Sequence, residues 1–371
     1  MPPSPDRSGR ATGRLDLLGG VADYSGALVL EVPTRCATTV TLHPADRFEV
    51  GSAALSPAAL TEIAALSYPE IREALSPFPK WTRYPLGVAV ALMRHGAIEA
   101  PTGRVSIDSS VPQSAGVSSS AALEVATARA LGVDIDPLTL AAICQEAENQ
   151  IVGAPCGIMD QVTVSLGAPG EVLPILCRPA SVDSRVTLPA DYEVIGWPTG
   201  ATHDVAGSEY GTARAAAFMG KQMVEEAHGA KFEWVSEIPA DAVTDLPETI
   251  DGASYLDRWA ITSDPLSVVE PSAVYPIRAA TGFGVGEHRR TTAALVALRA
   301  GELDALGDLM AASHAGYTAM GLGHPAADAV VAEAVSRPEV VGARASGGGC
   351  GGTVAVLCRT GSLASVAGVI R

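Results

Sequence analysis

Residues 13–33 read GRLDLLGGVADYSGALVLEVP, a run in which charged residues and glycines lead into an apolar segment. Glycine has no Cβ and accepts positive φ, so these glycines indicate a close approach of the backbone to another group. Arg14, Asp16 and Asp23 indicate that this group is polar. The branched apolar residues of ALVLEVP are typical of a strand. The stretch therefore predicts a strand beside a tight, polar loop.

The composition points to a folded protein with a small-molecule partner. The chain has 371 residues, 47% hydrophobic and 18% charged, enough for the cores of two domains. Its net charge of −16 opposes the basic surface of a protein that binds nucleic acid or an anionic membrane. Six cysteines without a CxxC pair favour reduced, buried thiols. No apolar stretch has the length of a secretory signal or a membrane span, so we expect a cytoplasmic protein.

The order of predicted elements favours an α+β fold, because strands and helices do not follow the regular βα repeat of a Rossmann sheet. Strands are predicted in residues 27–43 with a break at Pro33, and at 48–50, 105–112, 171–177 and 192–198. Helices are predicted in two pieces within 57–98, and then at 117–132, 137–153, 210–227, 286–301, 306–320, 327–336 and near the C-terminus. Asp136 is the predicted N-cap of the helix at 137–153, and Gly153 is its predicted C-terminal end.

Two glycine-containing segments could hold an anion. PQSAGVSSSAA, residues 112–122, places Gly116 and three serines at a helix start, where N–H groups, hydroxyls and the helix dipole favour a phosphate. A serine-capped helix without a ligand is the alternative. GGGCGG, residues 347–352, permits close approach to a ligand or another loop, although glycine runs also serve plain turns.

Three charged residues are candidates for chemistry, and each has a structural alternative. Asp160 is predicted in a loop over 153–167 as a buried carboxylate, or else as a turn or helix cap. Glu148 could be a metal ligand or a solvated helix residue. Arg14 could stabilise charge or form a surface ion pair. His203, His288 and His314 lack the spacing of a metal site.

The motifs taken together are more specific than any one of them. GRLDLLGGVADYSG, PQSAGVSSSAA, AENQIVGAPCGIMDQ and SGGGCGGT follow one another in this order, together with THDVAGSEYGTARAAAF at 202–218 and GEHRRTTAALVAL at 286–298. This set, from about Gly13 to Leu357, resembles the GHMP small-molecule kinases of the galactokinase branch, and especially the kinase portion of plant L-arabinokinases. The resemblance implies two domains, residues 1–191 like ribosomal protein S5 domain 2 and residues 192–371 ferredoxin-like, with ATP and sugar between them.

The resemblance also implies a role for each matched position. Asp160 corresponds to the catalytic carboxylate, acting as base or electrostatic anchor, and Arg14 to the arginine that stabilises negative charge beside it. Ser120 and Glu148 correspond to the positions that hold Mg²⁺. The triphosphate of ATP is assigned to Gly116, Val117, Ser118, Ser119, Ser120, Gly348 and Gly349. The sugar is assigned to Gly20, Val21, Asp23, Gly157 and Tyr210.

One departure from the family pattern bears on the sugar. Galactokinases usually read GRVNLIGEHTDYNGG, and this chain has Gly20 and Val21 in place of the Glu-His pair. L-arabinopyranose matches D-galactopyranose except for the missing hydroxymethyl group, so the departure favours L-arabinose. Room beside Gly20 for a larger substituent, such as a uronate, is an alternative. D-galactose as substrate and a non-catalytic sugar sensor are two further alternatives.

Overall fold

The computed structural model describes residues 6–201 and 208–371, so residues 202–207 of the motif THDVAGSEYGTARAAAF, His203 included, lie outside the described residues. The chain divides into two compact units of three segments each. The first contains the residues up to Arg14, Pro33–Pro112 and Ser118–Ala168, and the second contains Leu15–Val32, Gln113–Val117 and Pro169–Arg371. The division into residues 1–191 and 192–371 stays a prediction about the motifs.

The described residues form mixed helices and strands, which confirms the α+β class. The strands are β1 (Arg7–Leu18), β2 (Leu28–His43), β3 (Phe48–Val50), β4 (Ala53–Leu55), β5 (Gly103–Ser109), β6 (Glu171–Leu176), β7 (Ser181–Val182), β8 (Val186–Thr187), β9 (Tyr192–Pro198), β10 (Ile250–Asp251), β11 (Val274–Tyr275), β12 (Val340–Ser346) and β13 (Thr353–Arg359). The helices are α1 (Pro57–Ala64), α2 (Tyr68–Leu75), α3 (Arg83–Arg94), α4 (Ser119–Ala130), α5 (Pro137–Glu146), α6 (Met159–Leu166), α7 (Ser208–His228), α8 (Ala240–Thr244), α9 (Gly252–Trp259), α10 (Ile277–Ala300), α11 (Ala305–Ala319) and α12 (Pro325–Val335).

In the first unit, strands lie in the order β4–β3–β5–β2, and β1 pairs with β2. β2 runs antiparallel to β5, with Thr38 opposite Ser109, and β3 runs parallel to β5. The helices α3, α4, α5 and α6 pack on one another. α4 is buried on most sides because its residues after Ser120 are mainly alanine, leucine and valine.

The second unit contains the antiparallel sheet β12–β13–β9, in which Ala345 lies opposite Val354 and Val356 opposite Ile195. α11 and α12 pack on β12, and α10 packs against both α7 and α11. β6 pairs with β7, with β8 and with the first four residues of β2. No helix among the residues described is both long and apolar enough to cross a membrane.

Most predicted helix and strand positions are confirmed, and the helix ends explain why. Asp136 accepts hydrogen bonds from the N–H groups of Leu138 and Thr139 at the start of α5. A π-helical segment, Ala147–Val152, continues α5 until Gly153, which takes a left-handed conformation with φ of 76°. The six cysteines are free, as predicted, but only three of them are buried.

Four predictions about elements are wrong, and the first is the loop over 153–167, which contains α6. β2 continues through Pro33, because this residue lies between the segments that pair with β6 and with β5, where its missing N–H costs no bond to either strand. Residues 57–98 form three helices instead of two, because Ser67 and Glu70 make a capping box that starts α2. Residues 360–369 form turns instead of a helix, since Gly361 and Gly368 both take positive φ.

β1 passes close to the backbone of α4 at Gly9, and this contact yields a stability prediction. A Cβ at Gly9 would lie 2.1 Å from the carbonyl oxygen of Ala126 and 2.5 Å from the nitrogen of Ala130, so β1 would have to move. Gly9→Ala should lower the free energy of unfolding by about 2 kcal/mol, measured by denaturant titration. As a control, a Cβ at Gly286 in α10 would have its nearest neighbour 3.8 Å away, so Gly286→Ala should stabilise by about 0.5–1 kcal/mol. Equal effects of the two substitutions would contradict the close approach at Gly9.

Candidate active site

The first unit brings Arg14 and Asp160 together. Nε and Nη2 of Arg14 donate to Oδ1 of Asp160 at 2.9 and 2.7 Å. The arginine side chain is only 3% exposed, whereas that of the aspartate is 21% exposed. Asp160 lies in the first turn of α6 and not in a loop as predicted. A charged arginine and a helix N-terminus therefore stabilise a carboxylate that remains open to a ligand.

The start of α4 in the same unit has open hydrogen-bonding groups. Ser118 is its N-cap residue, but the backbone there is left-handed, with φ of 61°, and the hydroxyl makes no cap bond. The first helical bond runs from the N–H of Ala122 to the carbonyl oxygen of Ser118, so the N–H groups before it have no acceptor within the helix. The buried Ser118 hydroxyl has no partner among the described residues. A serine is therefore at the N-cap as predicted, but its side chain does not cap the helix, which leaves this end open to an anion.

Ser120 and Glu148, the predicted metal ligands, lie together in the first unit. The carboxylate of Glu148 accepts hydrogen bonds from the Ser120 hydroxyl and, at 2.7 Å, from Nε2 of Gln161. Glu148 belongs to the π-helical segment after α5, and such segments are frequent at functional sites. Asn149, next in this segment, accepts from the N–H of Cys156 at 2.7 Å and so holds the loop that contains Gly157.

Sequence reasoning missed Glu124, a second buried carboxylate in this cluster. It lies one turn after Ser120 on α4, and its Oε2 accepts from Nε2 of Gln161 at 3.1 Å. Its Oε1 has no hydrogen-bond partner in the described part of the chain. The available signal was a single glutamate within an otherwise small and apolar helix, four residues after the serine.

Burial disfavours the charged form of the carboxyl groups in this cluster. Burial, and then the nearby Asp160 carboxylate, raise the pKa of Glu148 to about 7. Burial and the Glu148 carboxylate raise the pKa of Glu124 well above its ordinary value. Within the described residues, no group of three or more His, Cys, Asp or Glu side chains could hold a metal ion. Two oxygen donors fit Mg²⁺, which usually takes few protein ligands and completes its shell with water and phosphate.

The second unit contains the predicted sugar positions except Gly157, which lies in the first. Residues Gly20–Ser25 form a buried 3₁₀ turn, called the substrate turn below. Val21 packs in an apolar core, and Asp23 is 4% exposed. Tyr210 at the start of α7 meets the ring of Tyr24 edge-on, with 6.0 Å between ring centroids. Burial lowers the pKa of Arg214, but Asp264, Tyr210 and Asp23 together raise it above its ordinary value. The structure therefore brings Asp23 and Tyr210 to one neighbourhood.

Gly20 has no open space beside it. Its φ is 49°, and a Cβ there would lie 2.1 Å from the Tyr317 hydroxyl and 2.9 Å from Nη2 of Arg344. The alternative in which Gly20 makes room for a larger sugar substituent is therefore wrong, because Tyr317 fills that room. Neither Tyr317 nor Arg344 was among the predicted site residues.

The glycine loop, residues 347–352, packs against residues 115–116 within the second unit. A Cβ at Gly347 would lie 2.6 Å from the Gly116 carbonyl oxygen, and one at Gly352 would lie 2.8 Å from that of Ala115. This confirms the predicted packing, while the assignment of phosphate to Gly348 and Gly349 stays a prediction. The N–H of Gly347 also donates to Oδ2 of Asp16 at 2.6 Å.

Two residues of the motif GEHRR, in α10, accept hydrogen bonds from the backbone on either side of the substrate turn. Oε1 of the fully buried Glu287 accepts from the N–H of Gly19 at 3.0 Å and from the Ser313 hydroxyl at 2.5 Å. Nδ1 of His288 accepts from the N–H of Leu28 at 3.0 Å, and burial lowers the pKa of this histidine. His288 therefore acts as a neutral structural acceptor.

Comparison with known proteins gives the class of protein first. The model of the GHMP kinases N terminal domain matches residues 83–168, and that of the GHMP kinases C terminal domain matches residues 294–369. GHMP kinases are ATP-dependent phosphotransferases, and a helix start with open N–H groups beside buried carboxylates suits that chemistry.

Individual relatives indicate which kinases within this class the chain resembles. An L-arabinokinase of Arabidopsis thaliana is 30% identical over 94% of this chain, and the chain spans only 42% of that protein's length. Galactokinases of Chloroflexus aurantiacus and Homo sapiens are 31% and 30% identical, each over 95% of this chain and 84% of the relative. Lactococcus lactis galactokinase complexed with galactose shares the fold, with a TM-score of 0.77 over 97% of this chain and 87% of that one, at 20% identity. The chain belongs to the GHMP kinase family, and within it to the sugar kinases of the galactokinase and arabinokinase type.

The buried carboxylates of the first unit predict a pH-dependent stability. A carboxyl whose pKa is raised on folding stabilises the fold while protonated, and this contribution is lost as the pH rises through the folded-state pKa. Glu124→Gln should therefore have little effect on the free energy of unfolding near pH 5, and should stabilise the metal-free protein increasingly toward pH 8. Denaturant titrations at several pH values measure this. The exposed Glu73→Gln is the control, and a Glu124→Gln effect that is flat with pH would contradict the prediction.

Proposed function

We propose that the chain is a cytoplasmic sugar 1-kinase that transfers the γ-phosphate of ATP to the anomeric hydroxyl of L-arabinose. The substrate turn carries this proposal, because Tyr317 fills the space beside Gly20 and Val21 packs in an apolar core. Neither position offers a polar side chain to the hydroxymethyl group of a hexose. A sugar that lacks this group leaves nothing unpaired there. The likeness to an L-arabinokinase supports the same choice.

The proposed chemistry uses Arg14 and Asp160. A bond forms between the anomeric oxygen and the γ-phosphorus, the bond from that phosphorus to the β–γ bridging oxygen breaks, and the hydroxyl proton passes to Asp160. The two hydrogen bonds from Arg14 fix the orientation of the carboxylate, and its guanidinium stabilises the negative charge of the transferred group. Asp23 and Tyr210 are assigned to sugar binding.

The proposed phosphate and metal sites use the start of α4 and the glycine loop. Gly116, Val117, Ser118, Ser119, Gly348 and Gly349 are assigned to the triphosphate, for which the uncapped N–H groups of α4 provide support. Ser120 and Glu148 would hold Mg²⁺, which supplies charge neutralisation on the phosphates when bound. The raised pKa of Glu148 supports this assignment, since a cation beside it would favour the charged carboxylate.

The choice of sugar is tested by comparing L-arabinose with D-galactose in a coupled ADP-release assay. We expect kcat/KM for L-arabinose to exceed that for D-galactose about tenfold or more, because the unpaired hydroxymethyl group costs roughly 1–3 kcal/mol. D-fucose, which is D-galactose without the 6-hydroxyl, serves as the matched control that separates loss of the hydroxyl from loss of the carbon. A value for D-galactose equal to or above that for L-arabinose would refute the assignment, and no sugar-dependent ADP release would favour a sensor.

The role of Asp160 is tested by paired substitutions. Asp160→Ala and Asp160→Asn should each lower kcat by about 10²–10⁴, since both remove the proton acceptor, while nucleotide binding measured by calorimetry remains. Asp136→Asn removes a carboxylate from the same unit and retains a good N-cap for α5, so its turnover should equal that of the wild-type chain. An Asp160→Asn variant with unchanged kcat would exclude the assigned role.

A further inference from the structure

We infer that Tyr317, on α11, is a positioning residue that sets sugar specificity: its hydroxyl ties the substrate turn to the glycine loop and closes the space beside Gly20. The inference deepens the proposed function and rests on it. From the sequence, the choice between L-arabinose and D-galactose is attributed to residues 20 and 21 alone. The inference attributes this choice to Tyr317 and Gly20 together.

The Tyr317 hydroxyl makes two hydrogen bonds to backbone groups of different segments. It accepts from the N–H of Val21 at 3.0 Å and donates to the carbonyl oxygen of Gly347 at 2.9 Å. Tyr317 is fully buried, and burial raises the pKa of its phenol, so the hydroxyl remains a donor throughout the physiological range. One oxygen atom thus satisfies two buried backbone groups that would otherwise be unpaired.

The ring of Tyr317 makes contacts of its own in addition to those of its hydroxyl. The guanidinium of Arg344 lies over the ring at 4.8 Å, and Phe283 packs edge-on at 5.4 Å between ring centroids. A phenylalanine at position 317 can keep both contacts. Tyr317→Phe therefore removes the hydroxyl, with its bonds to Val21, Gly347 and Arg344, and retains the ring contacts.

The position of Arg344 bears on which side chains residue 20 could carry. This arginine is fully buried, its side chain bonds to that of Tyr317, and its Nε has no hydrogen-bond partner among the residues the structure describes. Nη2 lies 2.9 Å from the place of a Cβ at residue 20, so a polar side chain there would meet a cation. The Tyr317 hydroxyl lies nearer still to that place, at 2.1 Å, and prevents such a side chain. A tyrosine at position 317 therefore requires a glycine at position 20.

A double-mutant cycle between Gly20→Ala and Tyr317→Phe tests the inference. Gly20→Ala alone should lower the melting temperature and raise the KM for the sugar, because the new methyl group meets the Tyr317 hydroxyl. In the Tyr317→Phe background the shortest contact is gone, while the contact with Nη2 of Arg344 and the cost of a positive φ at residue 20 remain, so the effect should be smaller. If Gly20→Ala alone does not fold, recovery of folding in the double variant demonstrates the same coupling.

Kinetics separate positioning from general stability. Tyr317→Phe should raise the KM for L-arabinose about tenfold with kcat changed less than about threefold, and should reduce the preference for L-arabinose over D-galactose. Tyr255→Phe is the matched control, because this fully buried tyrosine bonds to Gln222 instead, at 2.8 Å, and should leave sugar preference unchanged.

The outcomes distinguish the two proposals. A wild-type chain that phosphorylates sugars, combined with additive effects of Gly20→Ala and Tyr317→Phe and an unchanged sugar preference, would overturn the inference and leave the proposed function standing. A wild-type chain that releases no ADP with any of the sugars would overturn both. Coupled effects with a reduced preference for L-arabinose would support the role of Tyr317.

Discussion

The second unit is organised by backbone segments that lie too close together for side chains. The glycine loop and residues 115–116 approach so closely that a Cβ on Gly347 or Gly352 would lie under 3 Å from carbonyl oxygens of the other segment. The loop donates a hydrogen bond to Asp16 and accepts one from Tyr317, and these two bonds fix the arrangement. The substrate turn depends on the same contacts, since Tyr317 also accepts from Val21. The close packing of the backbone by itself therefore requires small residues at these places.

The first unit follows a different principle, in which polar groups are buried at a cost to stability. Glu124 and Glu148 share the amide of Gln161, and burial raises the pKa of both carboxyls. Such an arrangement is unfavourable for an isolated fold, because two buried carboxylates repel each other. A cation such as the proposed Mg²⁺ would supply the compensating positive charge. The uncapped start of α4 has the same character, since its open N–H groups gain a partner when an anion binds.

Much of the fold could be predicted from sequence because its signals are local. Asp136 and Gly153 mark helix ends through their own side chain and backbone preference, and the ordered motifs gave the family. What could not be predicted depends on contacts between residues distant in the chain. Tyr317 lies nearly 300 positions after Gly20, and no local pattern connects them. Glu124 was missed because only the packing of α4 places it in the interior.

The π-helical segment that holds Glu148 and Asn149 makes this part of the chain sensitive to its length. A π turn contains one residue more than an α turn, so removing any single residue from Ala147–Val152 would restore regular α geometry. That change would rotate everything on one side of the deletion by about 100° relative to the other. Glu148 and the anchor for the Cys156 loop would then no longer face their partners together. A protein that keeps this constellation must therefore keep the number of residues in this segment.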